Sequence, residues 1–371
     1  MLKRYFGLAA LAFAVVVPTL AAQEPPQGEF QERVDVNEVL LDVLVTDARG
    51  NVIVGLDKGD FVVREDGKPV DITGVTFYSN RRLIESTESF AKKGISVDQV
   101  PEDRYFILFF EDQKSNSVDA PVLLRQQIDA GRRTREWVRE NLLPNDWVAV
   151  ASYDQKLKVQ QDFTRDRKAL DQAIGDAMKG KDLEGNWPSR VQKDADKPSL
   201  FAGLPTGKAL RDKTGTVYDA LQVLADAAGA IRGRKNLLYF GNGPAGRINS
   251  FGQYIPDNRY YPPTVNALND NNVAVYTIDL SPAGTDHTLS DAMNQLANDT
   301  GGRYFFNFTN FTTPLRQVTE ENSGYYLISY RRERPAGESG FQEVEVKASN
   351  PEFRVRARKG YEYGSSADKA K

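Results

Sequence analysis

The sequence predicts an α/β protein in which a doubly wound, mostly parallel sheet is inserted in, or flanked by, an antiparallel β-sandwich. Two changes of hydrophobic period predict this architecture. From Val34 to Phe77 apolar side chains recur at every second position, as in half-buried strands, and the same period returns after Gly324. Between these regions, from Arg104 onwards, strand-like apolar runs alternate with helix-like segments, which is typical of a parallel sheet covered by helices.

Composition limits the classes of function that the chain can have. Its 371 residues, 40% hydrophobic and 27% charged, suffice for two or three modest domains with real cores, which excludes global disorder. The 48 basic and 51 acidic residues leave no broad basic field, so a nucleic-acid partner is not expected. The chain has no cysteine and one histidine, His287, which excludes disulfides, thiolate nucleophiles and metal sites built from several histidines.

Residues 1–22 have the pattern of a secretory signal peptide. Lys3 and Arg4 precede an apolar run from Phe6 to Val17, and small residues follow near Ala21. The run is shorter than the roughly 20 residues that a membrane-spanning helix needs, so we favour cleavage over a retained anchor. The mature chain is therefore expected outside the cytoplasm, periplasmic or extracellular, without a membrane span.

Residues 34–100 are predicted to be the N-terminal part of the sandwich, after a polar linker at 23–33. An Asp-Gly pair at 66–67 favours a tight hairpin between a strand at 60–64 and a strand at 70–77 that pairs back with it.

Residues 323–363 contain three further strand-like stretches, and residues 364–371 are a polar tail. Three short strands make a weak sheet by themselves. We therefore expect the two β regions to combine into one sandwich around the α/β domain. Two separate small β modules are the alternative.

Residues 101–322 are predicted to form the doubly wound domain. Arg104–Phe110 is a continuous apolar run, as expected of a strand covered on both faces. Two stretches, 180–213 and 241–262, lack periodic apolar residues, and loops this long in a compact domain are usually functional or disordered. The predicted strands span 104–110, 147–153, 158–163, 236–240, 273–280 and 303–308, and the predicted helices span 119–141, 166–179, 214–229, 263–271, 288–299 and 313–321.

The order of these elements, and the residues at their ends, resemble a von Willebrand factor type A (vWA) domain. Together with the flanking β regions, the chain is similar to bacterial vWA-related proteins of the acidobacterial type, over residues 34–363. The resemblance implies a secreted vWA-containing protein and does not imply a known reaction. The stretches that carry it are 104–112, 214–221 and 237–243 for the vWA domain, and 39–45, 55–69 and 355–361 for the flanking regions.

In a typical vWA domain a metal-ion-dependent adhesion site (MIDAS) lies at the carboxyl ends of the strands, and the resemblance implies the same position here. Such a site uses Asp-x-Ser-x-Ser after the first strand, a Thr before a helix and an Asp after the fourth strand. In this sequence the first motif is broken. With Asp112 in the Asp position, Lys114 and an asparagine replace the serines; with Glu111 in it, only Ser115 fills a serine position.

The rest of the implied site is partly kept. Thr216 fits the Thr position, Asn242 stands where the last Asp belongs, and Asp279 can add a carboxylate. We favour a metal-free, degenerate MIDAS, with Mg²⁺ or Ca²⁺ as the alternative and no other cofactor, because Lys114 would oppose a cation. A structural alternative is that these residues cap helices and tie loops. The candidate residues are Glu111, Asp112, Ser115, Thr216, Asn242 and Asp279.

Four aromatic residues in the two long loops are candidate anchors for a partner. The first loop leads into Thr216 and the second starts at Asn242, so both are expected to emerge at the same strand ends. Aromatic residues in such loops are typical of interfaces. The alternative is that they pack onto their own domain. They are Trp187, Tyr254, Tyr260 and Tyr261.

The predicted function is protein–protein interaction or adhesion through this edge, with a protein partner and an oligomeric state that the sequence does not identify. Binding of cell wall or carbohydrate through the tyrosine-rich loop is the first alternative, and a hydrolase that uses paired carboxylates is the second. No catalytic residue is predicted, because no carboxylate pair stands out and His287 reads as a surface or capping residue.

Overall fold

The computed structural model describes residues 34–79, 103–111, 120–180, 197–244, 247–250, 254–284, 289–335 and 339–363. The predicted signal peptide therefore lies outside the described residues. The strands are β1 (Val34–Thr46), β2 (Phe61–Glu65), β3 (Lys68–Pro69), β4 (Ile72–Ser79), β5 (Arg104–Glu111), β6 (Asp146–Tyr153), β7 (Leu157–Thr164), β8 (Lys235–Gly241), β9 (Arg247–Ile248), β10 (Tyr254–Ile255), β11 (Val273–Asp279), β12 (Arg303–Phe305), β13 (Gly324–Pro335), β14 (Gly340–Ala348), β15 (Arg354–Arg356) and β16 (Gly360–Tyr363). The α-helices are α1 (Ala120–Glu140), α2 (Arg167–Met178), α3 (Gly207–Lys213), α4 (Val217–Ala228), α5 (Tyr261–Asp270), α6 (Ser290–Asp299) and α7 (Thr312–Glu321).

The central sheet has six strands in the order β12-β11-β8-β5-β6-β7. All neighbouring pairs run parallel except β6 and β7, which are antiparallel. The chain order reverses around β5, with β6 on one side of it and β8 on the other, as in a doubly wound sheet. The α/β class predicted from the sequence is confirmed.

Helices cover both faces of this sheet, which explains why its strands are apolar throughout. Along β5, Ile107 and Phe109 belong to the buried cluster that includes α3, α4 and α5, whereas Leu108 and Phe110 belong to the cluster that includes α1, α2 and α7. These four side chains are at most 1% exposed, and burying each contributes about 1.5–3 kcal/mol. None of the helices in the described residues has the length and apolarity needed to cross a membrane.

Regular structure also occurs in both stretches that were expected to be irregular. Helix α3 lies in the first stretch and buries Leu210 completely. In the second stretch, β9 and β10 form a two-stranded antiparallel ladder. Elements this short contain too few apolar positions for a hydrophobic period to reveal them.

Strands from the two sides of the α/β region pair with one another in two four-stranded sheets. One has the order β15-β1-β13-β4 and the other β16-β14-β2-β3, so each sheet contains N-terminal and C-terminal strands. Both sheets contribute to one buried cluster, which includes Leu41, Val63 and Ile328. We call residues 34–79 and 324–363 the β unit, and residues 103–322 the α/β unit.

The prediction that the strand at 70–77 pairs back with β2 is wrong. Only β3, two residues long, pairs back with β2 after the turn at 66–67. The segment expected to continue that hairpin forms β4 instead, which pairs antiparallel with β13 in the other sheet. Pro69 has no backbone N–H to donate, and β3 lies at the edge of its sheet, where such a residue is tolerated. One further bond, from the backbone N–H of Val70 to the carbonyl of Val63 at 3.0 Å, follows it.

The β unit packs against the end of the α/β unit at which the parallel strands begin. Asn272, in the turn between α5 and β11, donates from Nδ2 to the carboxylate of Asp42 in β1. The carboxyl ends of the parallel strands therefore lie at the opposite end of the α/β unit. A cavity of about 210 Å³ lies along the junction and is lined by Leu40, Asp42, Tyr78, Gly233, Asn272, Tyr325 and Leu327.

Candidate functional site

The carboxyl ends of the parallel strands bring three of the sequence-predicted residues to one edge of the sheet, which we call the carboxyl edge. Strand β5 ends at Glu111, β8 is followed by Asn242, and β11 ends at Asp279. Because β8 lies between β5 and β11, these strand ends are neighbours. Asp112 and Ser115 lie outside the described residues.

Thr216 is the N-cap of helix α4. Its Oγ1 accepts a hydrogen bond from the backbone N–H of Asp219 at 3.1 Å and donates to Oδ2 of Asp219 at 2.8 Å. The same Oδ2 accepts from the backbone N–H of Thr216 at 2.9 Å, which completes a reciprocal capping box. Tyr153, at the end of β6, donates to the carbonyl of Gly215 at 3.0 Å and holds this loop at the carboxyl edge. The hydroxyl of Thr216 is thus engaged in the helix start.

Glu111 is tied to the neighbouring strand. The hydroxyl of Tyr239 in β8 donates to Oε2 of Glu111 at 2.8 Å. Burial, and then the charge of Glu111, hold the pKa of Tyr239 well above its usual range, so this phenol stays a donor. A Cβ at Gly241 would lie 2.4 Å from Oε2 of Glu111, so the carboxylate can lie against the backbone only because this residue is a glycine.

Asp279 is a buried carboxylate, 4% exposed, that organises the adjacent loops. Its Oδ1 accepts from the backbone N–H of Ser281 at 2.8 Å, and its Oδ2 accepts from the hydroxyl of Tyr304 at 2.7 Å. The Tyr304 ring in turn stacks on Phe306, with ring centroids 5.0 Å apart and planes 13° apart.

Sequence reasoning missed Phe306, a residue that is 60% exposed. The predicted strand ran to residue 308, but β12 ends at Phe305, so Phe306 begins the loop at the carboxyl edge. The loop is held by a hydrogen bond of 2.8 Å from the backbone N–H of Gly284 to Oδ1 of Asn307. Two adjacent phenylalanines at the end of an edge strand were the one sequence feature that could have indicated an exposed ring here.

Negative charge accumulates at the carboxyl edge. The pKa of Tyr153 is raised to about 12, chiefly by burial and then by the charges of Asp219, Glu111 and Asp154. Asp154 lies 3.5 Å from the ammonium of Lys158, which compensates part of this charge. A partner surface with basic side chains would complement this edge.

The described residues do not fit a cation site by themselves. Mg²⁺ and Ca²⁺ require several oxygen ligands, and within the described residues no three His, Cys, Asp or Glu side chains are grouped so as to hold a metal. The hydroxyl of Thr216, Oε2 of Glu111 and both carboxylate oxygens of Asp279 are engaged in the contacts above. Asn242 adds one neutral ligand atom, its buried Oδ1, which has no hydrogen-bond partner among the described residues.

The tyrosines of the second long stretch pack largely onto their own unit. Tyr254 and Tyr261 are 8% and 6% exposed. The hydroxyl of Tyr254 shares a hydrogen bond with that of Tyr218, and Tyr261 donates to Asp299 at 2.7 Å. Tyr260 is half-buried and stacks on Tyr218 with ring centroids 6.3 Å apart. Tyr254 and Tyr261 thus pack onto their own domain, which was the alternative to a role as partner anchors.

The sequence predicts that the first long stretch emerges beside Thr216, but part of it lies elsewhere. The backbone N–H of Leu200 donates to Oδ1 of Asp162 in β7 at 2.7 Å. Gly203 lies against Ala227, at the far end of α4 and roughly 15 Å from its start at 1.5 Å per residue. Trp187 lies outside the described residues.

Comparison with known proteins finds similarity at the level of structure. Neither a family model nor a curated protein matches the chain. Among solved structures, a von Willebrand factor type A protein from Catenulispora acidiphila is 9% identical, with a TM-score of 0.37, over 72% of this chain and 68% of that chain. BatB from Bacteroides thetaiotaomicron, a conserved hypothetical protein, is 12% identical, with a TM-score of 0.36, over 60% of this chain and 98% of its own.

A third match is proximal thread matrix protein 1 from the mussel byssus. It is 12% identical, with a TM-score of 0.36, over 60% of this chain, and one of its structures has a zinc-occupied MIDAS motif. The present chain spans about half of the length of that protein, 48%. The chain is similar to von Willebrand factor type A proteins, the resemblance that its sequence predicts.

Proposed function

We propose that the protein is an exported, vWA-like interaction module that binds a protein partner at its carboxyl edge. The observation that carries this proposal is the position of the β unit, which contacts the opposite end of the α/β unit through pairs such as Asn272 and Asp42. In the described part of the chain, the β unit therefore leaves the carboxyl edge uncovered. Ligands of open α/β sheets bind at such edges.

The stacked pair of Tyr304 and Phe306 is the proposed anchor at this edge. The hydrogen bond from Tyr304 to the buried Asp279 fixes the Tyr304 ring. The hydrogen bond between Asn307 and Gly284 holds the loop that carries Phe306. Burying an exposed phenylalanine side chain in a partner contributes about 1.5–3 kcal/mol. Because the pair is held in place before binding, little conformational entropy is lost on docking.

The charge of the edge indicates the chemistry of the partner surface. Glu111, Asp154 and Asp219 lie close enough to Tyr153 to raise its pKa. A partner with basic side chains around an apolar recess would match both the carboxylates and Phe306. Such a surface needs no metal, which agrees with the broken MIDAS motif. A cation held with the help of Asp112 and Ser115 remains the alternative proposal for the same edge.

Two further proposals concern the support of this edge. The two sheets of the β unit are proposed to pack face to face as one sandwich. Their common buried cluster supports this, as do the rings of Phe61 in β2 and Tyr326 in β13, whose centroids are 5.3 Å apart.

Export is proposed from the leader at residues 1–22. Both chain ends of the described protein belong to the β unit, so the carboxyl edge would face away from any attachment at the N-terminus.

A binding role is favoured over catalysis by the use of the carboxylates. Glu111 and Asp279 each accept a hydrogen bond from a tyrosine of a neighbouring strand, and Asp219 serves the helix cap. Engagement of these three carboxylates in structural contacts supports a binding role over a hydrolase built on them. Carbohydrate binding through the tyrosine-rich loop has less support, because Tyr254 and Tyr261 are buried.

The proposal is tested by co-purification from the native envelope with the full exported chain as bait. Phe306→Ser removes the proposed anchor, and Phe341→Ser is the matched control, since Phe341 is 46% exposed in the β unit. The amount of partner per bait should fall with Phe306→Ser and remain with Phe341→Ser. Equal recovery with both variants would overturn docking at the carboxyl edge.

A further inference from the structure

The last strands of the chain bridge the two units. Strand β15 pairs with β1, and β16 pairs with β14, so both belong to the β unit. The residues between these two strands run along the end of the α/β unit. We call residues 354–363 the C-terminal strap.

Three basic side chains of the strap reach the C-terminal ends of three different helices. A helix end of this kind carries unpaired carbonyls and a negative dipole, which a cation stabilises. At α5 the basic side chain meets a backbone carbonyl, and at α6 and α7 it meets the carboxylate of the last helical residue. The contacts are Arg358 Nη1 to the carbonyl of Asn269 at 2.8 Å in α5, Lys359 Nζ to Asp299 Oδ1 at 2.7 Å in α6, and Arg356 Nη2 to Glu321 Oε2 at 2.7 Å in α7.

The contact at α7 involves a buried carboxylate. The side chain of Glu321 is 1% exposed, and it lies between Arg356 of the strap and Arg303 of β12, whose Nη1 is 2.6 Å from Oε1. A carboxylate buried to this extent requires compensation by positive charge. Arg356 supplies part of that charge from the other unit, so separating the units would leave Glu321 less well paired.

Arg358 joins both units with one side chain. Its Nη1 donates to Asn269 in α5, and its Nη2 donates to the carbonyl of Leu40 in β1 at 2.8 Å. Further along the strap, Glu362 accepts from Asn266 at 3.0 Å and donates from its backbone N–H to Asp270 at 2.6 Å. The strap is therefore bound to α5 through both side chains and backbone.

The backbone of the strap also passes unusually close to the α/β unit. Gly301, in the turn after α6, has φ of +74°, and a Cβ there would lie 2.8 Å from the carbonyl carbon of Ala357 and 3.0 Å from the backbone nitrogen of Arg358. Backbone atoms cannot rotate out of the way as a flexible side chain does. Only glycine at position 301 permits this approach.

We propose that the C-terminal strap is a clasp that fixes the orientation of the α/β unit on the β unit, and that Arg356, Arg358 and Lys359 are its closing groups. The clasp holds the helices at their C-terminal ends and touches no described residue of the carboxyl edge. It sets the direction in which that edge points relative to the two chain ends. This inference stands apart from what the carboxyl edge binds.

The orientation of the two units can be measured directly, because the chain has no cysteine and accepts a pair of introduced ones. Spin labels at Val54 in the β unit and Lys208 in the α/β unit, both exposed, report one inter-unit distance by pulsed electron resonance. The clasp variant carries Arg356→Gln and Lys359→Gln. The control carries Arg354→Gln, in the same strand and exposed. The clasp variant should show a shifted or broadened distance distribution, and the control the narrow wild-type one.

A second pair of variants tests the close approach without changing charge. Gly301→Ala adds a Cβ against the strap, whereas Gly284→Ala adds one at a similar φ, +80°, with no described atom beyond its chain neighbours within 4 Å. The inter-unit distance should change in Gly301→Ala alone. Should the double variant fail to fold, Lys359→Gln by itself, with a 57% exposed side chain, provides the charge test. A wild-type distance distribution in both the charge variant and Gly301→Ala would overturn the clasp.

Discussion

Thr216→Ala distinguishes a helix cap from a metal ligand at the carboxyl edge. The substitution removes the hydroxyl that accepts from the backbone N–H of Asp219 at 3.1 Å and donates to its carboxylate at 2.8 Å. Loss of an N-cap side chain costs roughly 0.5–2 kcal/mol of stability. In a unit of this size, each kcal/mol lowers the midpoint of thermal unfolding by roughly 2–4 °C.

The assay is urea and thermal unfolding of wild type, Thr216→Ala and Thr216→Ser, each with Mg²⁺ and with EDTA. Serine keeps the hydroxyl, so Thr216→Ser should unfold close to wild type. The loss in Thr216→Ala should be the same with Mg²⁺ and with EDTA, because a cap does not depend on a cation. A loss that appears only with Mg²⁺, or no loss at all, would refute the assignment of Thr216 as a cap.

Three other outcomes follow from the same structure. Wild type should unfold at nearly the same temperature with Mg²⁺ and with EDTA, since a bound ion would raise stability; a large drop with EDTA would contradict the metal-free edge. Burial lowers the pKa of Lys235 from 10.5 to about 8, so the unfolded state binds more protons between these values. The free energy of unfolding should therefore rise with pH there, by about 2 kcal/mol up to pH 9.5. Urea unfolding from pH 7 to 9.5 checks this, and a rise of the same size in Lys235→Met would contradict it. Deletion of residues 324–363 removes β13, which pairs with β1 and β4; amide exchange over 39–45 should become faster, and unchanged protection would show that the N-terminal strands do not depend on it.

Much of the fold could be predicted because hydrophobic period is a property of the sequence itself. In α4, Val217, Leu221 and Leu224 recur at helical spacing and are buried together. The partner of a strand is a different matter, since local residues encode an extended conformation and not its neighbour. Strand β4 joins β13, more than 240 positions away, and Ile72 is buried there in the common cluster.

The sequence predicts where the site lies, but it does not predict the hydrogen bonds that its residues make. Glu111, Asn242 and Asp279 come together because strand ends in a parallel sheet meet at one edge. Their hydrogen-bond partners come from other strands, Tyr239 lying 128 positions from Glu111, and no spacing rule predicts such pairs. The exposure of Phe306 likewise depends on where an edge strand ends, which is the least reliable feature of any sequence-based assignment.

Site-specific photocrosslinking in the native envelope tests docking at the carboxyl edge most directly. A photoreactive phenylalanine analogue is placed at position 306, at the carboxyl edge, or at position 341, in the β unit, both of which carry exposed phenylalanines in the natural chain. The proposal predicts a discrete adduct with another protein from position 306 and none of that mass from position 341. The same adduct from position 341, or none from position 306, would contradict docking at the carboxyl edge.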